Sequence, residues 1–457
     1  MIRVTFLPDG ESVYVEEGVT LREAAIKAGF LNCKGDRCNS CWGLFEIGGE
    51  YKRGCEFELR EDVIVNLSEE KEAGENISEA TKIAFDIGTT TVTAAFFDES
   101  GEKVASKVAI NPQVVYGRDV ASRIEAINKD ANLLGRMHSK LLKKMNELIG
   151  GMHLKNVEEI GIAGNPCMEH IVLGISPSGI GEYPYEPEFK RAVQMNSREV
   201  GIDANGGCEV YLFPLISGWV GGDTVAMIQS TGIHKSDELK MGIDLGTNGE
   251  IVLGSREKIV TTSTAAGPAF EGVGIKCGMP AVDGAIERVR LNEEGEVKVK
   301  IKGGKKGKGK AKGICGSGII DSIAEMLEIG IMDKSGRMKS RAFHIHDRFY
   351  ITQKDVRKVQ LAKSAISTGM KILGKELDLG DWKKTIVTGS FGEASAESLS
   401  AIGIQDVIFK KDAVIEGINL ALFGKKRETE LIAMESKWID LASHPSFNEE
   451  FMKNLGF

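Results

Sequence analysis

The 457-residue chain has no run of about eighteen apolar residues, the length a helix needs to cross a bilayer. No membrane span is expected from it. Its first residues, MIRVTFLPDG, lack the basic-then-apolar layout of a secretory signal, which leaves a cytoplasmic protein as the expectation. It also lacks a basic excess: the formal net charge is -8, whereas general nucleic-acid binders carry a positive footprint. Its seven histidines show no pairwise metal spacing. Four of its eight cysteines, Cys167, Cys208, Cys277 and Cys315, are scattered too widely to read as ligands.

What is present is an ordinary globular composition, 42% hydrophobic and 27% charged, in a chain too long for a single core. Residues 1–67 read as one small unit. Ile2, Val4 and Phe6 alternate, as do Val13 and Val15 after the turn Pro8-Asp9-Gly10, which predicts a β-hairpin. Thr20 with Glu23 three residues on predicts a capped helix through Ala24, Ala25, Ile26 and Ala28, stopping at Gly29. Strand-like runs follow at Trp42 to Ile47 and Val63 to Leu67. That order suits a β-grasp domain.

The other four cysteines stand inside this unit. Cys33, Cys38 and Cys41 form C-x4-C-x2-C, and thirteen residues separate Cys41 from Cys55. This is plant-type [2Fe–2S] ligation spacing: three thiolates wrap a tight loop around the diiron core and a distant fourth closes it. Gly35, Asn39, Ser40 and Gly43 suit a loop whose amides approach the sulfurs. A four-cysteine zinc site is the alternative, since Zn²⁺ also takes tetrahedral thiolates.

Residues 68–82 (SEEKEAGENISEATK) are polar and Glu-rich, and read as a linker. Beyond them strands and helical patterns alternate, so the chain is α/β with an N-terminal α+β unit. Lys298 to Gly313 breaks the pattern with eight lysines interleaved with glycine, and reads as a mobile surface loop.

Two strings repeat. Asp86-Ile87-Gly88-Thr89-Thr90 and Asp244-Leu245-Gly246-Thr247-Asn248 each put an aspartate at a strand end before a glycine turn, 158 residues apart. Facing each other, such turns could grip the β- and γ-phosphates of ATP, with Asp86 and Asp244 holding Mg²⁺ through water. A third element, the strand Ile386 to Thr388 running into Gly389, Ser390 and Gly392, offers bare backbone for adenine and ribose. The order phosphate, phosphate, adenosine resembles the actin, Hsp70 and sugar-kinase superfamily. That resemblance implies two ribonuclease-H-like lobes, here residues 83–235 and 236–457. Glu271 is a candidate for positioning water or Mg²⁺, with a structural carboxylate as the alternative. Gly316 and Ser317 are candidate phosphate contacts, or else a plain helix start.

Longer strings narrow the family. Asn111-Pro112-Gln113 with Tyr116-Gly117-Arg118-Asp119, Gly164-Asn165-Pro166-Cys167-Met168, Ser263 through Gly272, Gly313 through Gly318, and Leu361 through Ile366 resemble reductive activators of corrinoid proteins. The likeness spans essentially the whole chain. It implies ATP-dependent transfer of one electron from a [2Fe–2S] cluster to a corrinoid methyl-carrier protein, converting inactive Co(II) to Co(I), with an upstream low-potential donor and room for a homodimer. Plant-type clusters sit near about -400 mV, so the step is uphill, and each gap of about 59 mV is tenfold in equilibrium. The resemblance further implies that larger activators place an additional domain between cluster and ATPase, where a linker of about fifteen residues is expected here. Two other classes stay open: a ferredoxin-fused kinase, and an ATP-dependent activator of another redox enzyme such as a dehydratase.

Overall fold

The computed structural model describes residues 1–457 apart from 8–10, 29–44, 48–49, 53, 55–56, 67–70, 74–76, 118, 151–156, 205–206, 293, 304–309, 378–380 and 390–393. The cysteines Cys33, Cys38, Cys41 and Cys55, with Gly35, Asn39, Ser40 and Gly43, lie outside the described residues. So do the turn Pro8-Asp9-Gly10, Gly29, Arg118, Ser390 and Gly392.

The N-terminal unit holds β1 (Ile2–Leu7), β2 (Glu11–Val15), α1 (Leu21–Lys27), β3 (Phe45–Ile47), β4 (Glu50–Lys52) and β5 (Val63–Asn66). Among the described residues they form a mixed five-stranded sheet in the order β2-β1-β5-β3-β4, with β1 parallel to β5 and antiparallel to β2. The alternation of Ile2, Val4 and Phe6 turns all three inward, where they pack with Leu21, Ala24, Phe45, Leu59 and Val65. At the start of α1, the hydroxyl of Thr20 accepts from the Glu23 amide at 3.3 Å, and Glu23 Oε2 accepts from the Thr20 amide at 2.8 Å. This reciprocal cap satisfies two donors the helix leaves open.

Lobe I comprises β6 (Lys71–Ala73), β7 (Lys82–Ile87), β8 (Thr91–Phe97), β9 (Lys103–Ile110), α2 (Val120–Lys129), α3 (Asn132–Ile149), β10 (Glu159–Gly164), α4 (Pro166–Val172), α5 (Ser178–Gly181), β11 (Val193–Asn196), α6 (Ser197–Val200), β12 (Glu209–Leu212) and α7 (Gly222–Thr231). Its sheet runs β11-β12-β10-β7-β8-β9-β6. The stretch expected as a linker thus departs from that reading: β6 pairs antiparallel with β9, Glu72 opposite Lys107. The outer edge of β9 offers unpaired backbone groups, and an extended segment can satisfy them whatever its side-chain charge.

Lobe II comprises β13 (Lys240–Leu245), β14 (Gly249–Gly254), β15 (Ile259–Thr264), β16 (Ala285–Leu291), β17 (Val297–Ile301), β18 (Gly313–Ile314), α8 (Gly316–Glu328), β19 (Ala342–His346), β20 (Phe349–Thr352), α9 (Gln353–Leu377), β21 (Lys384–Thr388), α10 (Ala396–Ala401), β22 (Val407–Phe409), α11 (Ala413–Leu420), α12 (Lys426–Glu435), β23 (Ser436–Trp438) and α13 (Phe447–Lys453). Its main sheet runs β22-β21-β13-β14-β15-β23. The expected Lys-rich loop, Lys298 to Gly313, is corrected at its start, while residues 304–309 of it lie outside the described residues. Val297–Ile301 is a strand paired with β16, its lysines outward and Val297, Val299 and Ile301 packed on the core. Valine, lysine and isoleucine alternating is a strand pattern, and the lysine count obscured it.

The two lobes repeat one motif: an antiparallel meander (β7-β8-β9, β13-β14-β15) whose first strand also has a parallel neighbour, β10 or β21. Helices α7 and α11 lie between them in a shared core that includes Ala84, Met227, Val252 and Ile418. Contact there is close: a β-carbon on Gly417 would stand 2.0 Å from Ala226 O. Among the described residues no helix is long and apolar enough to cross a membrane.

Candidate nucleotide cleft

The turns of β7–β8 and β13–β14 open on one cavity of about 200 Å³. Asp86, Gly88, Thr89 and Thr90 line it from lobe I; Asp244, Gly246, Thr247 and Asn248 line it from lobe II, with Glu271 and Gly389 beside them. Sheet register explains the arrangement. Asp244 sits opposite Glu250 on β14 and Thr388 on β21, and Asp86 sits opposite Thr93 on β8. All five of those residues line the cavity. Gly389 has φ 123, and a β-carbon there would stand 2.5 Å from Leu245 O and 3.0 Å from Asp244 Oδ1, so only glycine lets this backbone approach the aspartate.

The first turn is gripped from behind. Asn111 donates its side-chain amide to Gly88 O at 2.8 Å and its backbone amide to Thr90 O at 2.9 Å. Arg123, fully buried, donates Nη2 to Thr89 O, Nη1 to Gln113 Oε1 at 3.1 Å and Nε to Gly117 O at 2.9 Å. Asn165 donates Nδ2 to Thr89 Oγ1 at 3.1 Å. Three consecutive turn carbonyls are therefore occupied, and because Thr89 Oγ1 accepts from Asn165 its own proton is left to donate. Among the described residues no hydrogen-bond partner of Arg123 is a carboxylate, and burial lowers its guanidinium to about 10.

The cleft is acidic. Burial raises Asp86 well above the usual carboxylate range, and Asp223, Asp244 and Asp412 add to the effect. Burial, then Asp223 and Glu271, bring Asp244 to about 7. Asp223 is raised by burial to about 6, with hydrogen bonds from Thr224 opposing. Glu250 is raised well above its usual range by burial, then by Asp223 and Asp244. Among the described residues no lysine, arginine or histidine lines the cavity. So many carboxylates facing one space ionise together only with a cation among them. An all-oxygen donor set suits a hard divalent ion that keeps part of its water shell, as Mg²⁺ does.

Asp223, Glu250, Asn165 and Asp412 line this site without having been singled out as site residues from the sequence. For Asp223 a signal existed in Gly221-Gly222-Asp223, a third aspartate beside glycines. A β-carbon on Gly221 would stand 2.3 Å from Gly164 O, so the glycines let α7 begin against the end of β10. Two candidates are not brought in. Gly316 and Ser317 are buried in the first turn of α8, absent from the cavity lining, and Ser317 Oγ donates to Glu287 O at 2.8 Å. Cys167 and Cys315 are buried, and burial pushes the Cys167 thiol to about 12.

Residues 81–236 match the family model of the RACo middle region, and residues 238–457 match that of the C-terminal domain of RACo, the ASKHA domain. The corrinoid activation enzyme RamQ of Eubacterium limosum is 31% identical, over 82% of this chain and 70% of the relative. A [Co(II) methylated amine-specific corrinoid protein] reductase of Methanosarcina barkeri is 26% identical, over 82% of this chain and 76% of the relative. A solved reductive activator for corrinoid,iron-sulfur protein superposes with TM-score 0.75 and 25% identity, covering 100% of this chain and 98% of that one. The chain belongs to the RACo family of corrinoid-protein reductive activators.

Proposed function

We propose that this protein uses ATP to drive the reduction of a partner corrinoid protein from Co(II) to the methyl-accepting Co(I) state. The observation that carries the reading is the meeting of the Asp86 and Asp244 turns in one acidic cleft, in a chain that also holds four cysteines at ferredoxin spacing.

In the cleft, the amides and hydroxyls of Gly88–Thr90 and Gly246–Asn248 would bind the phosphates from opposite lobes, so that one triphosphate bridges both. Mg²⁺ held through water by Asp86, Asp223 and Asp244 would neutralise polyphosphate charge. Glu271 would orient water at the terminal phosphate, and Gly389 would admit the nucleoside. Phosphate chemistry in such a site is mainly positioning and electrostatics.

In the N-terminal unit, a [2Fe–2S] cluster on Cys33, Cys38, Cys41 and Cys55 would supply the single electron, reloaded by a low-potential donor. The chemistry of the donor set fits: four thiolates in one chain at x4, x2 and x13 spacing. Its surroundings also fit a β-grasp ferredoxin, since Gly54 O and Phe57 O, either side of Cys55 in sequence, accept the Arg22 and Leu21 amides of α1 at 2.8 Å each. ATP can favour the uphill transfer only by binding one state of the complex better than another. Lobe closure around α7 and α11 is the motion available for that.

Full-length protein, prepared anaerobically, tests both halves. It should hold two iron ions per chain and bind Mg·ATP, while Asp244→Asn should keep the iron and lose about tenfold or more in nucleotide affinity. A colourless, zinc-loaded product would end the electron-transfer half; undiminished nucleotide affinity in Asp244→Asn would end the cleft assignment.

A further inference from the structure

Residues 110–117 run from the last residue of β9 toward α2 and belong to two cores at once. Val114, 8% exposed, is buried in the N-terminal cluster with Phe6, Phe45 and Leu59, and Ile110 and Val115 pack against that same cluster. Asn111 and Gln113 turn the other way and are fully buried. Asn111 holds Gly88 O and Thr90 O, while Gln113 Oε1 and Gly117 O receive the guanidinium that holds Thr89 O. Asn111 Oδ1 also accepts from the Gln113 amide at 3.0 Å, which stiffens the segment. The apolar side of one short segment thus belongs to the cysteine-bearing unit, and its amide side to the phosphate turn.

The peptide bond makes this arrangement mechanical. Each carbonyl shares a rigid plane with the next residue's N–H, so the amides of Thr89, Thr90 and Thr91 cannot reorient toward a phosphate without turning the carbonyls of Gly88, Thr89 and Thr90. Those are the three carbonyls that Asn111 and Arg123 hold. A shift in them moves the segment, and a close-packed core carries the shift onward through Val114.

We propose that Asn111 and Arg123 are positioning residues that set the phosphate turn and, through residues 110–117, make the seating of the N-terminal unit depend on nucleotide. The inference rests on the nucleotide reading of the cleft and adds a route from that cleft to the electron-donating unit. The pairing of β6 with β9 supplies a second attachment on the same strand, so the unit can pivot without leaving lobe I.

Hydrogen exchange of the full-length protein with and without a Mg²⁺-bound, non-hydrolysable ATP analogue tests it, with nucleotide affinity measured in parallel. In the native protein the nucleotide slows amide exchange in β1 and β5 by about threefold or more. Val114→Ser, and the gentler Val115→Ser if the first disrupts the unit, keep nucleotide affinity within about twofold and lose that slowing. Asn111→Asp, whose carboxylate cannot donate to Gly88 O, loses the slowing and about tenfold in affinity. Nucleotide that binds without slowing exchange in β1 and β5 overturns the inference and leaves the cleft assignment standing. So does slowing that survives in Val115→Ser. Failure of the native protein to bind the analogue overturns both.

Discussion

Thr247 Oγ1 donates to Glu271 Oε2 at 2.8 Å, tying the Gly246–Asn248 turn to a carboxylate from the segment after β15. Glu271 reaches that point on a single 3₁₀ turn, Pro268–Glu271, set between Gly267 at φ 74 and Gly272 at φ 78. A β-carbon on Gly272 would stand 2.4 Å from Met279 O, so the turn has no room to shift on that side. Glu271→Gln keeps the shape and removes the charge. It should lower ATP turnover by about tenfold or more, with nucleotide affinity changed by less than about threefold. Unchanged turnover would reduce Glu271 to a structural carboxylate.

The acidic cleft predicts a pH dependence. Asp244 rises from 3.8 to about 7 and Asp223 from 3.8 to about 6, both chiefly through burial. Between those ordinary and raised values the folded chain holds protons that the unfolded chain has released, so this contribution weakens stability as pH rises and levels off above about pH 7. Nucleotide-free protein should therefore melt about 3 °C or more lower at pH 7.5 than at pH 5.5. The gain in melting temperature from Mg·ATP should be larger at the higher pH, because the cation displaces fewer protons there. Asp244→Asn should flatten both trends. A gain independent of pH would contradict this electrostatic account.

Gly389 is a sharper steric test. Alanine there meets both a left-handed φ of 123 and a contact of 2.5 Å with Leu245 O. Gly389→Ala should cost about 1–3 kcal/mol of stability and weaken nucleotide binding about tenfold or more, with iron content unchanged. Calorimetry and metal analysis on one preparation read all three, and native affinity in the variant would remove Gly389 from the nucleoside site.

Sequence made the local signals legible and left the assembled ones out of reach. The Thr20–Glu23 cap, the alternation in β1 and the two Asp-x-Gly-Thr turns are short-range patterns, each determined within a few residues. Asn165 enters the cleft at the start of α4, directly after β10, and Asp223 enters it because α7 begins against the end of that same strand, an adjacency that is tertiary. Gly316 and Ser317 suited either a phosphate contact or a helix start, and they begin α8 against β16, where a β-carbon on Gly318 would stand 2.3 Å from Ile286 O. The strand β6 was hidden by its charge, since a sheet edge selects for extended backbone. Val114 carried no signal at all: nothing local tells which of two cores a valine will join.

Anaerobic mixing of the reduced protein with a Co(II) corrinoid protein, followed by its visible spectrum, asks whether nucleotide closure of the cleft drives an electron onto cobalt. Spectral conversion to Co(I) should need Mg·ATP and should be lost in the double variant Asp86→Asn, Asp244→Asn, whose iron content stays native. Conversion at the same rate and extent without nucleotide, or undiminished conversion by the double variant, would contradict that coupling.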